Sequence, residues 1–299
     1  MGNEYGVELG DFLRSRRARV TPDQIGVPTE GTTRRVPGLR REEIAQLAGV
    51  STEYYTRLEQ GRRHRNASVS VLDAIARALR LDEVEHAYLI ELARGGSHGG
   101  ERHTLPPRPQ RVRPELHRIL ETLDAATPAF ISGRGMQVLA GNRMAGALIA
   151  DFDALPYRER NFARFVFLDE GARDLFPDWY RVAEDVAAGL RLEAGRRHDD
   201  RVFSELIGEL AVKRAEFRSL WARHDIRQRT HGTKLLRHPL VGELTISYAT
   251  FSPCSDTDQV LYIYSTEPGS ASETALQLLA NLTAGPRRPQ LNSMENLLS

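Results

Sequence analysis

A chain of 299 residues, 40% hydrophobic and 27% charged, has the length of about two globular domains and too much apolar content for wholesale disorder. No apolar run approaches the roughly 20 residues of a membrane-spanning helix, and residues 1–11 lack the basic and apolar regions of a secretory signal. Cys254 is the only cysteine, which excludes an internal disulfide and a thiolate metal cluster. These features predict a cytoplasmic protein with no membrane partner. The net charge of +1 neither demands nor forbids nucleic acid. Its make-up is more telling, because Lys occurs only at 213 and 234. Arg favours bidentate contacts to phosphate and guanine, although a GC-rich genome accounts for most of such a bias. The first 65 residues hold most of the local basic clusters, from Arg16, Arg17 and Arg19 to Arg62, Arg63 and Arg65.

Residues 8–93 read as helical. Leu9, Phe12, Leu13 and Arg16 share one side of a first helix that Thr21 and Pro22 stop, and a Gly/Pro/Thr-rich loop runs from there to Gly38. Two helices then meet around Gly49. Ser70 is placed to cap a fourth, with Asp73 three residues on and a buried face of Leu72, Ile75, Ala76 and Leu79. Asp82 opens a fifth through Tyr88, Leu89 and Leu92.

The corner in "EEIAQLAGVSTEYYTRLEQGR", residues 42–62, has the residue types of a helix-turn-helix. Ala45 lets the second helix cross closely, Gly49 can adopt the left-handed conformation that ends a helix within one residue, Val50 fills the angle, and Ser51 caps the next helix. Ile44, Leu47, Tyr55 and Leu58 are expected to point inward. Ser51, Thr52, Glu53, Thr56, Arg57 and Gln60 then face outward on a helix that fits a major groove about 12 Å wide. The plain alternative is an αα-corner within some other helical domain. Five helices in order and the basic cluster just after the corner favour double-stranded DNA as the partner.

"RGGSHGGERHTLPPRPQRVRP", residues 94–114, is aperiodic and rich in Gly and Pro, as an interdomain linker is. Beyond it, Leu116 to Ala125 looks helical, and "AFISGRGMQVLAGN" reads as a hairpin turning at 133–135, with Asn142 capping the helix that follows. Several helices occupy 158–224. "VGELTISYATF" alternates with Leu244, Ile246 and Tyr248 on one face, "QVLYIYST" follows across a turn, and a helix at 272–282 closes the segment. The expected domains are 1–94, all-α with five helices, and 114–285, α+β with an antiparallel sheet covered on one face. They are joined by a linker at 95–113 and followed by a tail at 286–299.

Residues 8–93 resemble the Xre-type helix-turn-helix of phage and bacterial repressors, and the insertion before "PGLRREEIAQLAG" and the run "YYTRLEQGR" look like its actinobacterial branch. The C-terminal segment resembles the MmyB-like ligand-binding domain, with "RNFARFVFLDEGARDLFPDWY", "FRSLWARHDI", "GTKLLRHPLVGEL" and "STEPGSAS" in the family's order. The resemblance implies a PAS-like second domain, a dimeric ligand-responsive transcriptional regulator, and a small apolar, fatty-acid-like ligand. It assigns base reading to Thr52, Glu53 and Arg57, and phosphate anchoring to Arg41 and Gln60, with Arg62, Arg63 and Arg65 adding phosphate contacts. It also implies a structural ion pair between Arg17 and Glu59. Arg40 departs from the pattern, standing where many relatives carry a Ser or Thr cap.

No catalytic set, metal site or cofactor is expected. His224-Asp225, with His198 and Asp199 upstream, suggests a metal-dependent phosphohydrolase only weakly, since it lies at a helix end. "RGGSHGG" lacks the Lys-Ser/Thr of a phosphate loop, and no nucleophile elbow is present. The aromatics of 162–179 and Trp221 have two readings, as core alone or as partial lining of an apolar cavity against the sheet. On the second, Phe165, Phe167, Trp179, Trp221 and Tyr248 bind the ligand, with Arg164, His224 and Tyr248 placed to orient a carboxylate or hydroxyl. The competing function is a DNA-binding protein whose C-terminal domain only dimerises or binds another protein. An enzyme in 114–285 ranks last.

Overall fold

A computed structural model of the chain describes residues 4–25, 38–62, 67–94, 109–123, 126–195, 200–228, 230–253 and 258–284. Among the described residues, five α-helices form the N-terminal unit: α1 (Glu4–Arg19), α2 (Arg41–Leu47), α3 (Thr52–Glu59), α4 (Val69–Ala78) and α5 (Glu83–Ala93). Leu9, Phe12, Leu13 and Arg16 of α1 are buried as their spacing requires, together with Leu72, Ile75, Ala76 and Leu79 of the fourth-helix region. Asp82 caps α5, its Oδ1 accepting from Glu85 N at 2.8 Å. The cap of α4 differs from expectation. Ser68, not Ser70, has the extended backbone of an N-cap and accepts from Val71 N, and Ser70 Oγ lies 3.0 Å from Ser68 Oγ instead.

The C-terminal unit runs α6 (Pro114–Thr122), β1 (Ala129–Ser132), β2 (Val138–Gly141), α7 (Arg143–Leu148), α8 (Phe162–Leu168), α9 (Gly171–Leu175), α10 (Trp179–Ala194), α11 (Arg201–Lys213), α12 (Ala215–Ala222), β3 (His231–His238), β4 (Gly242–Phe251), β5 (Val260–Ser265) and α13 (Ala271–Leu282). All strand pairings are antiparallel and the order is β2-β1-β5-β4-β3. This is the expected α+β, PAS-like type. Asn142 caps α7, accepting from Ala145 N at 2.9 Å.

Two features of the sheet depart from the sequence reading. The stretch 231–238 is a strand, paired with β4 over its whole length. The sheet is also covered on both faces along part of its width. Phe130, Leu244, Ile246, Tyr248 and Tyr264 face a large core shared with α7–α13, whereas Ala129, Ile131 and Leu261 pack under Leu116 and Leu120 of α6. Alternation puts apolar residues on both sides of β1 and β5, so the outer side also needs a cover. The chain entering α6 is fastened to β5 by buried Gln259, whose Oε1 accepts from Arg113 N at 3.0 Å and whose Nε2 donates to Arg111 O at 2.9 Å.

The two units touch. Leu192 of α10 and Ile226 join the apolar core of the N-terminal helices. Around them, Arg191 Nη1 donates to both carboxylate oxygens of Glu8 at 2.9 and 3.1 Å. Tyr88 OH donates to Glu8 Oε1 at 3.2 Å, Arg16 Nη2 donates to His224 O at 2.8 Å, and Arg19 pairs with Asp225.

A candidate nucleic-acid interface and a candidate ligand cavity

The corner between α2 and α3 is made locally. Gly49 has φ +65°, with no heavy atom within 4 Å of where a Cβ would stand, so backbone freedom and not space requires glycine there. Val50 N donates back to Ala45 O at 2.9 Å, and Ser51 Oγ accepts from Tyr54 N at 3.1 Å. Ile44, Tyr55 and Leu58 are fully buried. Leu47 is not an inward residue, being 45% exposed. The buried stripe of α2 is Ile44, Ala45 and then Ala48, which turns Leu47 onto the rim.

Ser51, Thr52, Glu53, Arg57, Gln60 and Arg62 are exposed and Thr56 is half-buried, so the structure brings these expected DNA-facing residues onto one accessible surface. Arg63 and Arg65 lie outside the described residues. Arg57 and Glu53, one turn apart, are ion-paired with each other. Arg41 is also engaged: its Nε and Nη2 donate to Glu59 Oε1 at 3.1 and 2.9 Å. Arg17 grips the same carboxylate, Nε to Oε2 at 3.0 Å and Nη2 to Oε1 at 3.1 Å. The implied Arg17–Glu59 pair is therefore a three-residue cluster joining α1, α2 and α3. Burial alone would raise the Glu59 carboxyl, but the two guanidiniums hold it below its ordinary range. Arg40 contributes no cap through its side chain. The Glu43 carboxylate accepts from Arg40 N at 2.7 Å and fixes the start of α2.

In the C-terminal unit a cavity of about 450 Å³ opens between the sheet and α10. Phe130, Tyr248, Tyr262 and Tyr264 rise from the strands, Val182, Val186 and Gly189 descend from α10, and Lys234 of β3 enters from the side. Phe130 and Tyr262, register partners on β1 and β5, stack with centroids 4.9 Å apart. Lys234 Nζ lies 5.0 Å from the Tyr248 ring centroid and 5.4 Å from that of Phe162, within range of cation–π attraction. Most of the rim charges are matched: Arg227 pairs with Asp185 at 3.2 Å, Arg134 with Asp258 at 3.5 Å, and Glu193 accepts from Gly135 N at 2.8 Å. Burial pushes the Tyr262 phenol up to about 12, so it stands in the cavity wall as a neutral hydroxyl.

Of the five residues expected to bind ligand, Tyr248 alone lines this cavity. Phe165 packs among Phe152, Phe162 and Phe176, at 5.9 to 6.4 Å between centroids. Phe167 packs edge-on against Trp179 and Phe217. Trp179 Nε1 donates to Val166 O at 2.8 Å beneath Arg173, and Trp221 stacks between Phe217 and Arg191. These four pack against residues of the helical segment 152–221 and not against the cavity. Among the proposed polar orienters, Arg164 is paired with Glu209 and His224 sits at the contact with Glu8. Asp225, the other half of the His-Asp motif, is bound by Arg19 and Arg223. A second hollow, about 550 Å³, lies among α6, β2 and α7, with a wall that mixes small, apolar and charged residues.

No helix among the described residues is long and apolar enough to cross a membrane. Residues 8–89 match the family model of a helix-turn-helix domain, and residues 112–279 match that of the MmyB-like transcription regulator ligand binding domain. No curated protein matches the chain. The helix-turn-helix precedes a ligand-binding domain that spans more than half of the 299 residues, and the chain belongs to the family of MmyB-like transcription regulators.

Proposed function

We propose that this DNA-binding transcription regulator acts as a homodimer on an inverted repeat and that a small, mainly apolar molecule in the cavity between the sheet and α10 sets its DNA affinity. The cavity carries the reading: ring-walled, with Lys234 at one side, it suits an amphipathic, fatty-acid-like ligand. The ligand's body would lie against Phe130, Phe162 and Tyr262, and its carboxylate near Lys234 and Tyr248. The functional units are 1–94 for DNA and 114–285 for ligand and self-association, with 95–113 as linker and 286–299 as tail. Leu278 and Leu282, four residues apart and exposed on α13, give self-association an apolar stripe. That stripe also favours the competing reading, in which the C-terminal domain serves dimerisation alone.

On DNA, α3 lies in the major groove. Thr52, Glu53 and Arg57 read bases once the Glu53–Arg57 pair opens, while Arg62, Arg63, Arg65, Gln60 and Arg41 meet phosphates. One module buries too little surface for tight binding, and two half-sites about one helical turn apart supply the rest. The test begins with selection of bound DNA by the full chain. Arg57→Ala then costs about 1–3 kcal/mol on the selected site and relaxes its preference, while Arg62→Ala weakens all sequences alike and flattens the salt slope. Dodecanoate, titrated by calorimetry, binds the wild type, and Lys234→Met weakens it. A monomer on a single half-site, or equal ratios of specific to random binding for both Arg variants, refutes the DNA reading. A wild type indifferent to dodecanoate refutes the fatty-acid reading.

A further inference from the structure

The contact between the two units is built from the same two stretches of chain that wall the cavity. On α10, Val186, Gly189 and Glu193 border the cavity, while Arg191, between them in sequence, reaches Glu8 of α1. After α12, His224 and Ile226 touch the N-terminal helices, and Arg227 and Gln228, next in the chain, line the cavity. The Arg227–Asp185 pair ties these two stretches together.

The polar centre of the contact is closed off from water. The Arg191 side chain is 6% exposed. Its Nη2 donates to Trp221 O at 2.6 Å, and its guanidinium lies 3.7 Å from the Trp221 ring centroid. Glu8 accepts from Arg191 and Tyr88, with His224 Nδ1 at 3.8 Å. A buried ion pair of this kind depends steeply on geometry, because one partner left alone is an uncompensated charge. Such a cluster holds one docked arrangement or yields to another and does not stretch gradually.

We propose that the Glu8–Arg191–His224 cluster is the coupling element of the protein: displacement of α10 by an occupant of the cavity reaches the DNA-binding helices through it. This rests on the reading of the cavity as a ligand site. α10 acts as a stiff lever whose last turns carry both the cavity wall and Arg191. An occupant that shifts those turns changes the seat of α1 and thereby the presentation of α3. Linkage requires the converse as well, so operator DNA changes the affinity for an occupant by the same factor.

The test uses the full chain and DNA selected by the wild type, and does not depend on identifying the ligand. Gly189→Leu places a side chain in the cavity from α10 itself, where the nearest neighbour of a new Cβ is the flexible Met136 Cε at 2.8 Å. It serves as a built-in occupant. In the wild-type background this variant is expected to change DNA affinity at least about fivefold, the lower end of typical coupling. In the Glu8→Gln background the same substitution is expected to change it less than about twofold. Arg191→Met is expected to uncouple likewise, whereas Arg201→Met, which removes an exposed pair with Glu205 on α11, leaves the response intact.

Dodecanoate forms a second arm. It is expected to act on DNA binding by the wild type but not by Glu8→Gln, although calorimetry finds it bound to both. Equal responses to Gly189→Leu with and without the Glu8 carboxylate, or no response in the wild-type background, overturn the proposal. Failure of dodecanoate to bind the wild type counts against the fatty-acid reading alone, and the Gly189→Leu comparison still decides the role of the cluster.

Discussion

Replacement of Glu59 by Gln probes how the DNA-binding corner is held. The Glu59 side chain is 0% exposed, with Arg17 at 13% and Arg41 at 41%, and its carboxylate accepts four guanidinium hydrogen bonds between 2.9 and 3.1 Å. Gln conserves the volume but removes the charge and turns donors toward donors, stranding Arg17. Breaking a buried ion pair from one side costs about 3–5 kcal/mol. The bond from Arg17 Nη1 to Leu39 O at 2.7 Å survives and places the expectation at the lower end, about 3 kcal/mol. Arg41 is partly in water, so Arg41→Ala is expected to cost no more than about 1 kcal/mol. The double variant Glu59→Gln/Arg17→Met recovers part of the loss, because no charge is then left alone. Urea titration followed by far-UV ellipticity gives the magnitudes, and hydrogen exchange in α1 and α3 locates them. The reasoning is refuted if Arg41→Ala costs as much as Glu59→Gln, or if Glu59→Gln costs less than about 1 kcal/mol.

Gly49→Ala, with empty space around the new methyl, isolates backbone strain and is expected to cost about 1 kcal/mol in thermal or urea unfolding; a clearly larger cost would mean an unrecognised clash. Acid is expected to weaken the contact between the units through Glu8. Burial would raise its carboxyl, but His224 at 3.8 Å and the Arg191 guanidinium that donates to it bring it to about 2, against an ordinary 4.5. With the folded value depressed, the stabilisation is complete above 4.5 and is lost as pH falls from 4.5 through 2. It amounts to about 3 kcal/mol, and Glu8→Gln is expected to flatten that part of the stability–pH curve. Gly195→Val puts a Cβ 2.1 Å from Tyr88 Cε2 at the contact, with a helical φ of −57° that any residue tolerates. Calorimetry is expected to show two separated unfolding transitions where the wild type has one.

What the sequence made legible was local. Gly49, Ser51, Ile44 and Tyr55 build the corner within a dozen residues, and the alternation of 242–251 marks β4 without help from distant contacts. Leu47 stands on the rim and not inward, because a seven-residue helix leaves the edge of its buried stripe undetermined by spacing. β3 carries no clear strand signal, because the Leu235-Leu236 doublet breaks the alternation. The cavity was the hardest to read. Aromatic density drew attention to Phe165, Phe167, Trp179 and Trp221, but which way a helix face turns is decided by the helices packed against it. Lys234 stands out as one of two lysines, but neither its spacing nor that of Arg227 shows that the two reach one cavity. Tyr262 and Tyr264 could have been found, since β5 alternates and both share a face with Phe130.

The clasp of Gln259 on Arg111 and Arg113 has a consequence for how such chains can diverge. With the incoming chain fixed at β5, and the two units meeting through Leu192, Ile226 and the Glu8–Arg191 pair, the way the halves sit together is held by side-chain contacts as well as by the covalent joint between them. The entropy of closing a tether grows slowly, so doubling its length costs only about 0.6 kcal/mol. A change in the length of the joint is therefore expected to cost little. Selection on how the two halves meet falls on Glu8 and Arg191, two positions far apart in sequence, and a chimera joining halves from two relatives inherits its geometry from them and not from the joint.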